Sequence, residues 1–185
     1  GFGRRAMQLS PAELEATILY QVGALQAMAT AEGGRVSHVK PHGALNNIAC
    51  ADAAVAATVA RAVHSLDPAL ILLAPAHSEL ARAGEAAGLP VRYEVFADRT
   101  YLDDGQLMPR SRPGAVLHDA EQCVEHVLVM LREQAIVAAS GHRLPTRIDS
   151  ICVHGDGPEA VATAQLIRQA LEQAGYRLAA LDRMG

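Results

Sequence analysis

The apolar and polar positions along the chain alternate between helical and strand-like patterns. Ser10-Pro11-Ala12-Glu13 is typical of a helix start, because Ser can cap the helix, Pro fits its first turn and Glu completes a capping box. Apolar residues then follow at spacings of three and four, which predicts one helix with a buried stripe, ending near Gly33-Gly34. The predicted stripe is Leu14, Ile18, Val22, Leu25 and Met28.

The same pattern predicts further elements downstream. Short apolar or β-branched runs predict strands over residues 35–40, 69–74, 91–96 and 148–154, and a final strand over 176–181. Ala-rich or periodic segments predict helices over residues 51–66, 78–87, 119–140 and 158–175. Residues 97–118 are predicted to be a long polar loop, and a loop of this length in a compact domain is more often functional than idle.

Alternating helices and strands with short connections predict an α/β fold, with parallel strands joined by right-handed crossovers. The sheet is either open or closed into a barrel. No repeat or break in composition marks a second domain, so residues 1–185 are predicted to form a single domain. In both kinds of sheet the ligand site lies at the carboxyl ends of the strands.

Composition removes several classes of function. The net charge of -4 and the aromatic fraction of 3% argue against nucleic-acid binding, which needs a basic stripe and stacking rings. The three cysteines form no C-x-x-C pair, which favours a reducing, cytoplasmic location over a disulfide framework or a zinc knuckle. No uncharged apolar run approaches the roughly 20 residues of a membrane span. The first residue is Gly1 rather than Met, so we expect the chain to begin inside a longer protein.

Three predicted strand ends carry polar residues that are suited to chemistry. They are Lys40-Pro41-His42-Gly43, Ala97-Asp98-Arg99 and His154-Gly155-Asp156-Gly157. Pro158 follows the third strand end at a predicted helix start, where free N–H groups favour a phosphate or a carboxylate.

Each of these strand ends also has a structural explanation. Lys40 and His42 can be solvated, Asp98-Arg99 can be an ion pair or a cap, and Asp156 can simply cap its helix. His77 is a weak candidate. Four other residues are set aside as ordinary surface or core residues: His64, His118, His126 and Cys152.

Four longer motifs contain these polar residues. The first is Val39-Lys40-Pro41-His42-Gly43-Ala44-Leu45. The second is Glu94-Val95-Phe96-Ala97-Asp98-Arg99 with Tyr101-Leu102-Asp103-Asp104-Gly105. The third and fourth are Pro109-Arg110-Ser111-Arg112-Pro113-Gly114-Ala115 and Val153-His154-Gly155-Asp156. In this order and spacing the four motifs resemble the LamB/YcsF family, which is the A subunit of bacterial 5-oxoprolinase.

The resemblance implies a distorted (β/α) barrel of the glycoside hydrolase/deacetylase-like type. It also implies ATP-dependent opening of 5-oxoproline to L-glutamate, ADP and phosphate, together with separate B and C subunits. ATP is then a co-substrate, and a divalent metal such as Mg²⁺ stays open. The implied catalytic residues are Lys40, His42, Asp98, His154 and Asp156. The implied substrate- or nucleotide-binding residues are Asn46, Glu94, Arg99, Tyr101, Arg110, Arg112 and Gly155.

Departures from the family pattern limit these expectations. Asn46-Asn47 stands where the family usually has Tyr-Asn, and Gly157 stands where Thr or Asn is common. The family's first strand and its Cys-Gly-Phe-His-Ala-Gly and His-Pro motifs are absent. The barrel is therefore expected to lack its N-terminal strands. The chain alone is expected either to be inactive or to be a truncated part of an active protein. Two rival functions are a metal-dependent hydrolase that removes acyl groups from carbohydrates and a non-catalytic binding subunit.

Overall fold

The computed structural model describes residues 4–155 and 159–184, and these residues fall into two compact units. The first unit comprises the described residues of Gly1–Arg92 and Leu181–Gly185, and the second comprises those of Tyr93–Ala180. Each unit contains parallel strands and helices that follow one another along the chain. The α/β character predicted from the sequence is therefore confirmed.

The first unit begins with helix α1 (Pro11–Ala31), whose predicted start is confirmed in detail. The backbone N–H of Ser10 donates to Glu13 Oε2 at 2.8 Å, and the N–H of Glu13 donates to Ser10 Oγ at 3.3 Å. This is the reciprocal capping box, and it satisfies two donors that a helix start leaves open. The predicted apolar stripe is only partly buried, because Leu25 is 58% exposed and Met28 is 70% exposed.

The predicted helix over residues 51–66 is confirmed with a start two residues later, and a helix that the sequence did not predict precedes it. Helix α2 (Gly43–Ala51) ends one residue before Asp52, and helix α3 (Ala53–Leu66) begins one residue after it. Asp52 has extended backbone angles, and its carboxylate accepts the N–H groups of Ala54 and Val55. This cap starts α3 and explains why α2 and α3 are separate helices.

Strand β1 (His38–Val39) pairs in parallel with strand β2 (Ile71–Pro75), so that Val39 lies opposite Leu72. Strand β2 is buried at every position, as its apolar run predicts. Helix α4 (Glu79–Ala86) packs on β2 through Gly84. A Cβ atom at Gly84 would lie 2.7 Å from Leu72 Cδ2 and 2.8 Å from Val91 Cγ2, so this close approach requires glycine.

The second unit contains most of strand β3 (Val91–Phe96) and three further strands. Strand β3 pairs in parallel with β6 (Ser150–Cys152), with Phe96 opposite Cys152. Helices α5 (Ala120–Glu133) and α6 (Ala160–Gln173) pack on each other around a buried cluster. The cluster consists of Ala97, Cys123, Val127, Ile167 and Leu171.

Two predictions for the second unit are wrong. The predicted helix 119–140 ends early, because α5 is followed by Gln134, which has left-handed backbone angles at φ 48°. Strand β4 (Ala135–Val137) comes next and pairs antiparallel with β5 (Arg143–Pro145), inside the region predicted as helix and linker. The described residues of the predicted strand 176–181 hold no strand, and a short 3₁₀ helix covers Leu181–Arg183 instead.

The segment 97–118 contains no helix or strand longer than a bridge, as predicted, but it is internally ordered. Two isolated antiparallel bridges join Arg99 to Val116 and Tyr101 to Leu107. The N–H of Leu117 donates to the carbonyl of Asp98 at 2.9 Å, which ties the end of the segment to its beginning. We call residues 97–118 the polar segment.

No single helix in the described ranges is both long and apolar enough to cross a membrane. Helices α2 and α3 together reach the required length and composition, but the pair is bent by 117°.

Candidate functional site

Asp98 and His154 emerge side by side from the paired strands of the second unit. Phe96 and Cys152 are register partners at the ends of β3 and β6, and each candidate lies two residues beyond its strand end. The N–H of Ala97 donates to the carbonyl of Cys152 at 2.9 Å, which continues the pairing past the strands. Equal offsets from an in-register parallel pair bring the two side chains together. The structure thus brings together two of the three strand ends that the sequence singled out.

The imidazole of His154 binds the carboxylate of Asp98 through one ring nitrogen. Nδ1 of His154 lies 2.7 Å from Asp98 Oδ1 and 2.8 Å from Oδ2, with both side chains partly buried. A carboxylate can only accept, so Nδ1 carries the hydrogen. In the neutral ring Nε2 is then the unprotonated, basic nitrogen. The pair is thus a base whose tautomer is set by its carboxylate partner.

An aromatic ring fixes the plane of the same imidazole. The rings of Phe96 and His154 stack with their centroids 5.8 Å apart and their planes 18° apart. Phe96 is 5% exposed, so its ring is itself held by packing. His154 is therefore restrained by a hydrogen bond at its edge and by a ring on its face.

Arg99, which follows Asp98, uses its side chain inside the polar segment. Its Nε donates to the carbonyl of Ala115 at 3.2 Å, and Nη2 donates to the carbonyl of Met108 at 2.7 Å. Burial lowers the pKa of this guanidinium, and the nearby Arg110 lowers it further. Arg99 thus holds the polar segment together while adding positive charge beside Asp98. Its contact with a ligand stays a prediction.

Tyr101 and Glu94 are the most deeply buried of the predicted binding residues, at 2% exposure each. The hydroxyl of Tyr101 accepts the backbone N–H of Phe96 at 2.8 Å. Burial raises the pKa of Tyr101 strongly, and the Glu94 carboxylate raises it further. The phenol therefore stays protonated throughout the neutral range. In this structure Tyr101 contacts protein groups, and its predicted role toward a ligand is untested.

The remaining predicted residues of the second unit lie at its surface. Arg110 and Arg112 are exposed, and neither guanidinium has a hydrogen bond or ion pair to any residue that the structure describes. Gly155 is exposed directly after His154. Asp156, together with the predicted helix start at Gly157-Pro158, lies outside the described residues. The two arginines are thus available to bind an anion.

Lys40 and His42 line one open cavity of about 420 Å³ in the first unit, together with Arg5 and mainly apolar residues. His42 precedes helix α2, and its side chain makes no capping bond. Gly43 has a φ of +61°, a conformation that glycine adopts without strain. The cavity therefore combines cationic side chains with an uncapped helix start, an arrangement that favours a phosphate or a carboxylate.

Two further polar residues of the first unit follow the ends of strands β1 and β2 in the chain. Asn46, on α2, is 7% exposed, and its Oδ1 has no hydrogen-bond partner among the described residues. His77 follows β2 with left-handed backbone angles at φ 59°, which few residues other than glycine adopt. Neither residue is placed in contact with a ligand by these observations, and the predicted binding role of Asn46 remains untested.

His126 is a residue that the sequence analysis set aside and the structure brings into the second unit's site. Its Nε2 lies 3.1 Å from the carbonyl oxygen of Arg99, and its ring stacks on Tyr101. Burial lowers the pKa of His126. The sequence around His126 gave no sign of this role, because a single His on an amphipathic helix is common. Its hydrogen-bond partner, Arg99, lies 27 residues earlier in the chain.

Metal ligation is a separate question. In residues 4–155 and 159–184, no group of three or more His, Cys, Asp or Glu side chains is arranged to hold a metal ion. Both oxygens of Asp98 already face His154. The divalent metal that the resemblance left open therefore stays a prediction.

Comparisons with known proteins agree with the motifs. The family model described as "LamB/YcsF family" matches residues 1–185. A protein from Azoarcus sp. (strain BH72), named as the A subunit of 5-oxoprolinase, is 56% identical over the whole of this chain and 72% of its own length. A protein of the same name from Nitrobacter winogradskyi is 50% identical over 97% of this chain and 71% of its own length.

A solved structure gives the same result for the fold. The crystal structure of a lactam utilization protein from Thermus thermophilus matches with a TM-score of 0.88 and 44% sequence identity. The match covers 96% of this chain and 71% of that one. A likeness at this level confirms the fold class that the sequence predicts.

Proposed function

Because the chain belongs to the LamB/YcsF family, we propose that it supplies the A subunit of a 5-oxoprolinase, which opens 5-oxoproline to L-glutamate at the expense of ATP. The proposal includes B and C partner subunits. It is supported by the name shared by the relatives and by the lactam utilization protein of similar fold. The word subunit in those names supports a complex of several chains.

The reaction must overcome the low reactivity of an amide carbonyl. In the proposed sequence the lactam oxygen attacks the γ-phosphorus of ATP, and the bond from that phosphorus to ADP breaks. Water then adds to the activated carbon and gives up a proton. Cleavage of the ring C–N bond leaves an acyl phosphate and an amine, which takes up a proton. A second water hydrolyses the acyl phosphate to L-glutamate and phosphate.

The Asp98–His154 pair is the observation that carries the proposal, because a base is needed when water adds. We assign Nε2 of His154 to take the proton from water, since Nδ1 is engaged with Asp98 at 2.7 and 2.8 Å. Asp98 keeps the ring in the required tautomer and stabilises the imidazolium that forms. This division of roles needs no proton on Asp98.

The cationic groups of the chain are suited to binding the anions of the reaction. Arg110 and Arg112 are exposed on the polar segment, and Lys40 lines the cavity of the first unit. ATP phosphates and the carboxylate of 5-oxoproline are the anions that such groups would hold. His42 is a second acid or base candidate at the same cavity. If a divalent metal takes part, we expect it to enter with the phosphates of ATP.

ADP release and glutamate formation test the proposal directly. The natural full-length protein is assayed with 5-oxoproline and ATP, with and without the B and C subunits. We expect equal amounts of ADP and glutamate, formed only when 5-oxoproline and all three subunits are present. Hydrolysis of an acylated carbohydrate without ATP, or full activity of the B and C subunits alone, would refute the proposal.

A further inference from the structure

The Asp98–His154 pair is backed by a second layer of aromatic residues that the proposed reaction does not use directly. His126, on α5, approaches the polar segment with its ring stacked on Tyr101, at a centroid distance of 6.4 Å and an angle of 25°. The Nε2 of His126 lies 3.1 Å from the carbonyl oxygen of Arg99. Since a carbonyl can only accept, Nε2 carries the hydrogen. His126 thus donates a hydrogen bond to the backbone next to Asp98.

Tyr101 connects His126, through Phe96, to His154, the other member of the Asp98–His154 pair. Its hydroxyl accepts the N–H of Phe96 at 2.8 Å, at the end of β3. The Phe96 ring in turn stacks on His154 at 5.8 Å. The contacts therefore form a closed circuit: from His126 through Tyr101 and Phe96 to His154, then through Asp98 and the Arg99 carbonyl back to His126.

We propose that His126 and Tyr101 are positioning residues, which hold Asp98 and the ring of His154 in the geometry that aims Nε2 at the reacting water. The inference rests on the proposed role of His154 as the base. It gives Tyr101 and His126 a shared function that requires neither of them to touch substrate. It also explains why a tyrosine with 2% exposure stands two residues beyond the Asp98-Arg99 motif.

The chemistry of the two residues suits this task because both remain uncharged. Burial lowers the pKa of His126 and raises that of Tyr101, so each keeps its neutral form around neutral pH. A neutral donor and a neutral phenol add no charge that would compete with Asp98 for the imidazolium. Rigid rings with few rotatable bonds also lose little entropy when they hold their neighbours in place.

Variants of His126 separate its hydrogen bond from its ring. In His126→Phe the ring stays but the donor to Arg99 is lost, whereas Gln at this position keeps an N–H donor. We expect His126→Phe to lower kcat of the complete enzyme roughly ten- to a hundred-fold with the KM values for ATP and 5-oxoproline unchanged, as for a misplaced catalytic group. His126→Gln should retain kcat within about threefold, because the contact with the carbonyl is restored.

Two further variants complete the test. Tyr101→Phe removes the acceptor of the Phe96 N–H, and we expect the same loss of kcat at unchanged KM. His118→Phe is the matched control, because His118 is exposed in the same unit and makes no hydrogen bond to a described residue. Its kcat should equal that of the unmodified enzyme. NMR of the complete protein should show the His154 ring protons losing the shift caused by Phe96 in Tyr101→Phe, but not in His118→Phe.

The outcomes distinguish this inference from the proposed function. An unmodified complex without activity, or a fully active His154→Ala variant, would refute the proposed function. If the complex is active and His154→Ala is not, then unchanged kcat in both His126→Phe and Tyr101→Phe would overturn the positioning role. Equal losses in His126→Phe and His126→Gln, with lowered melting temperatures and unshifted His154 signals, would also overturn it, because they indicate a purely structural role.

Discussion

The strand ends of the two units differ in how their polar side chains are held. In the second unit, Asp98 and His154 are bound to each other and partly buried, and the ring of His154 stacks on Phe96. In the first unit, Lys40 and His42 line an open cavity, and His42 is exposed without capping its helix. One strand end is thus organised before any ligand arrives, and the other presents charge to an open space.

The difference indicates a division of labour. Proton transfer demands a fixed direction and a fixed tautomer, which the Asp98–His154 pair supplies. Binding a flexible polyphosphate or a small carboxylate demands positive charge with room to adapt, which the cavity beside Lys40 supplies. We therefore expect substitutions of Asp98 or His154 to act on kcat and those at the cavity to act mainly on KM.

The largest expected effect is at Asp98. In Asp98→Asn the shape is kept, but the side chain can donate to Nδ1 and so stabilise the wrong tautomer of His154. We expect a loss in kcat of about 10³- to 10⁴-fold, the size seen when the carboxylate that orients a catalytic His is neutralised. Steady-state kinetics of glutamate formation measure this loss in kcat. A fall confined to KM would show that Asp98 binds substrate instead.

A smaller effect is expected at the cavity of the first unit. Lys40→Met keeps the length of the side chain but removes its charge, and should raise the KM for ATP or 5-oxoproline about ten- to a hundred-fold, the usual cost of a lost charge-assisted contact. kcat should change by less than about threefold. Arg35→Met is the control, because Arg35 pairs with Asp182 at the surface. A large fall of kcat in Lys40→Met would contradict the expectation that the cavity acts in binding and the Asp98–His154 pair in proton transfer.

The close packing of helix α4 on strand β2 in the first unit can be tested by measuring stability. In Gly84→Ala the new methyl group would press on Leu72 and Val91, so we expect the free energy of unfolding to fall by about 1–3 kcal/mol. Gly23→Ala, in a helix position with nothing within 4 Å, should instead gain about 0.5–1 kcal/mol. Denaturant unfolding of both variants gives the comparison. Equal effects would mean that α4 does not pack tightly on β2.

The smallest expected effect is a pH dependence of stability from His126. Its pKa in the folded protein is lowered by burial, so below the ordinary value of 6.5 the unfolded chain binds this proton more readily than the folded one. Stability should therefore fall as the pH drops below 6.5. In His126→Gln the unfolding midpoint should vary less between pH 7.5 and 5. An unchanged or steeper dependence in the variant contradicts this expectation.

Local sequence signals predicted much of the fold. The Ser10 capping box, the buried run of β2 and the bounds of β3 are all confirmed, because each depends on neighbouring residues alone. Helix α2, before Asp52, and the left-handed end of α5 at Gln134 were missed. The residues on either side of Gln134 suit a continuous helix, and the interruption comes from a single backbone angle.

The candidate site was predictable in part for the same reason. The rule that ligand sites follow the carboxyl ends of parallel strands identified Asp98 and His154, and their register partners confirm that they meet. The rule could not identify His126, whose partners are distant in sequence. It also gave no sign that the side chains of Arg99 and Tyr101 would form hydrogen bonds with backbone groups of the protein. The same motif is equally typical of residues that contact a ligand.

A double-mutant cycle on Asp98 and His154 tests most directly whether the two act as one unit. kcat for glutamate formation is measured for Asp98→Asn, for His154→Gln and for the double variant in the complete enzyme, with His118→Gln as control. We expect the double variant to be no slower than His154→Gln, because Asp98 acts only through His154. Losses that multiply in the double variant, or a His154→Gln variant as active as His118→Gln, would contradict this assignment.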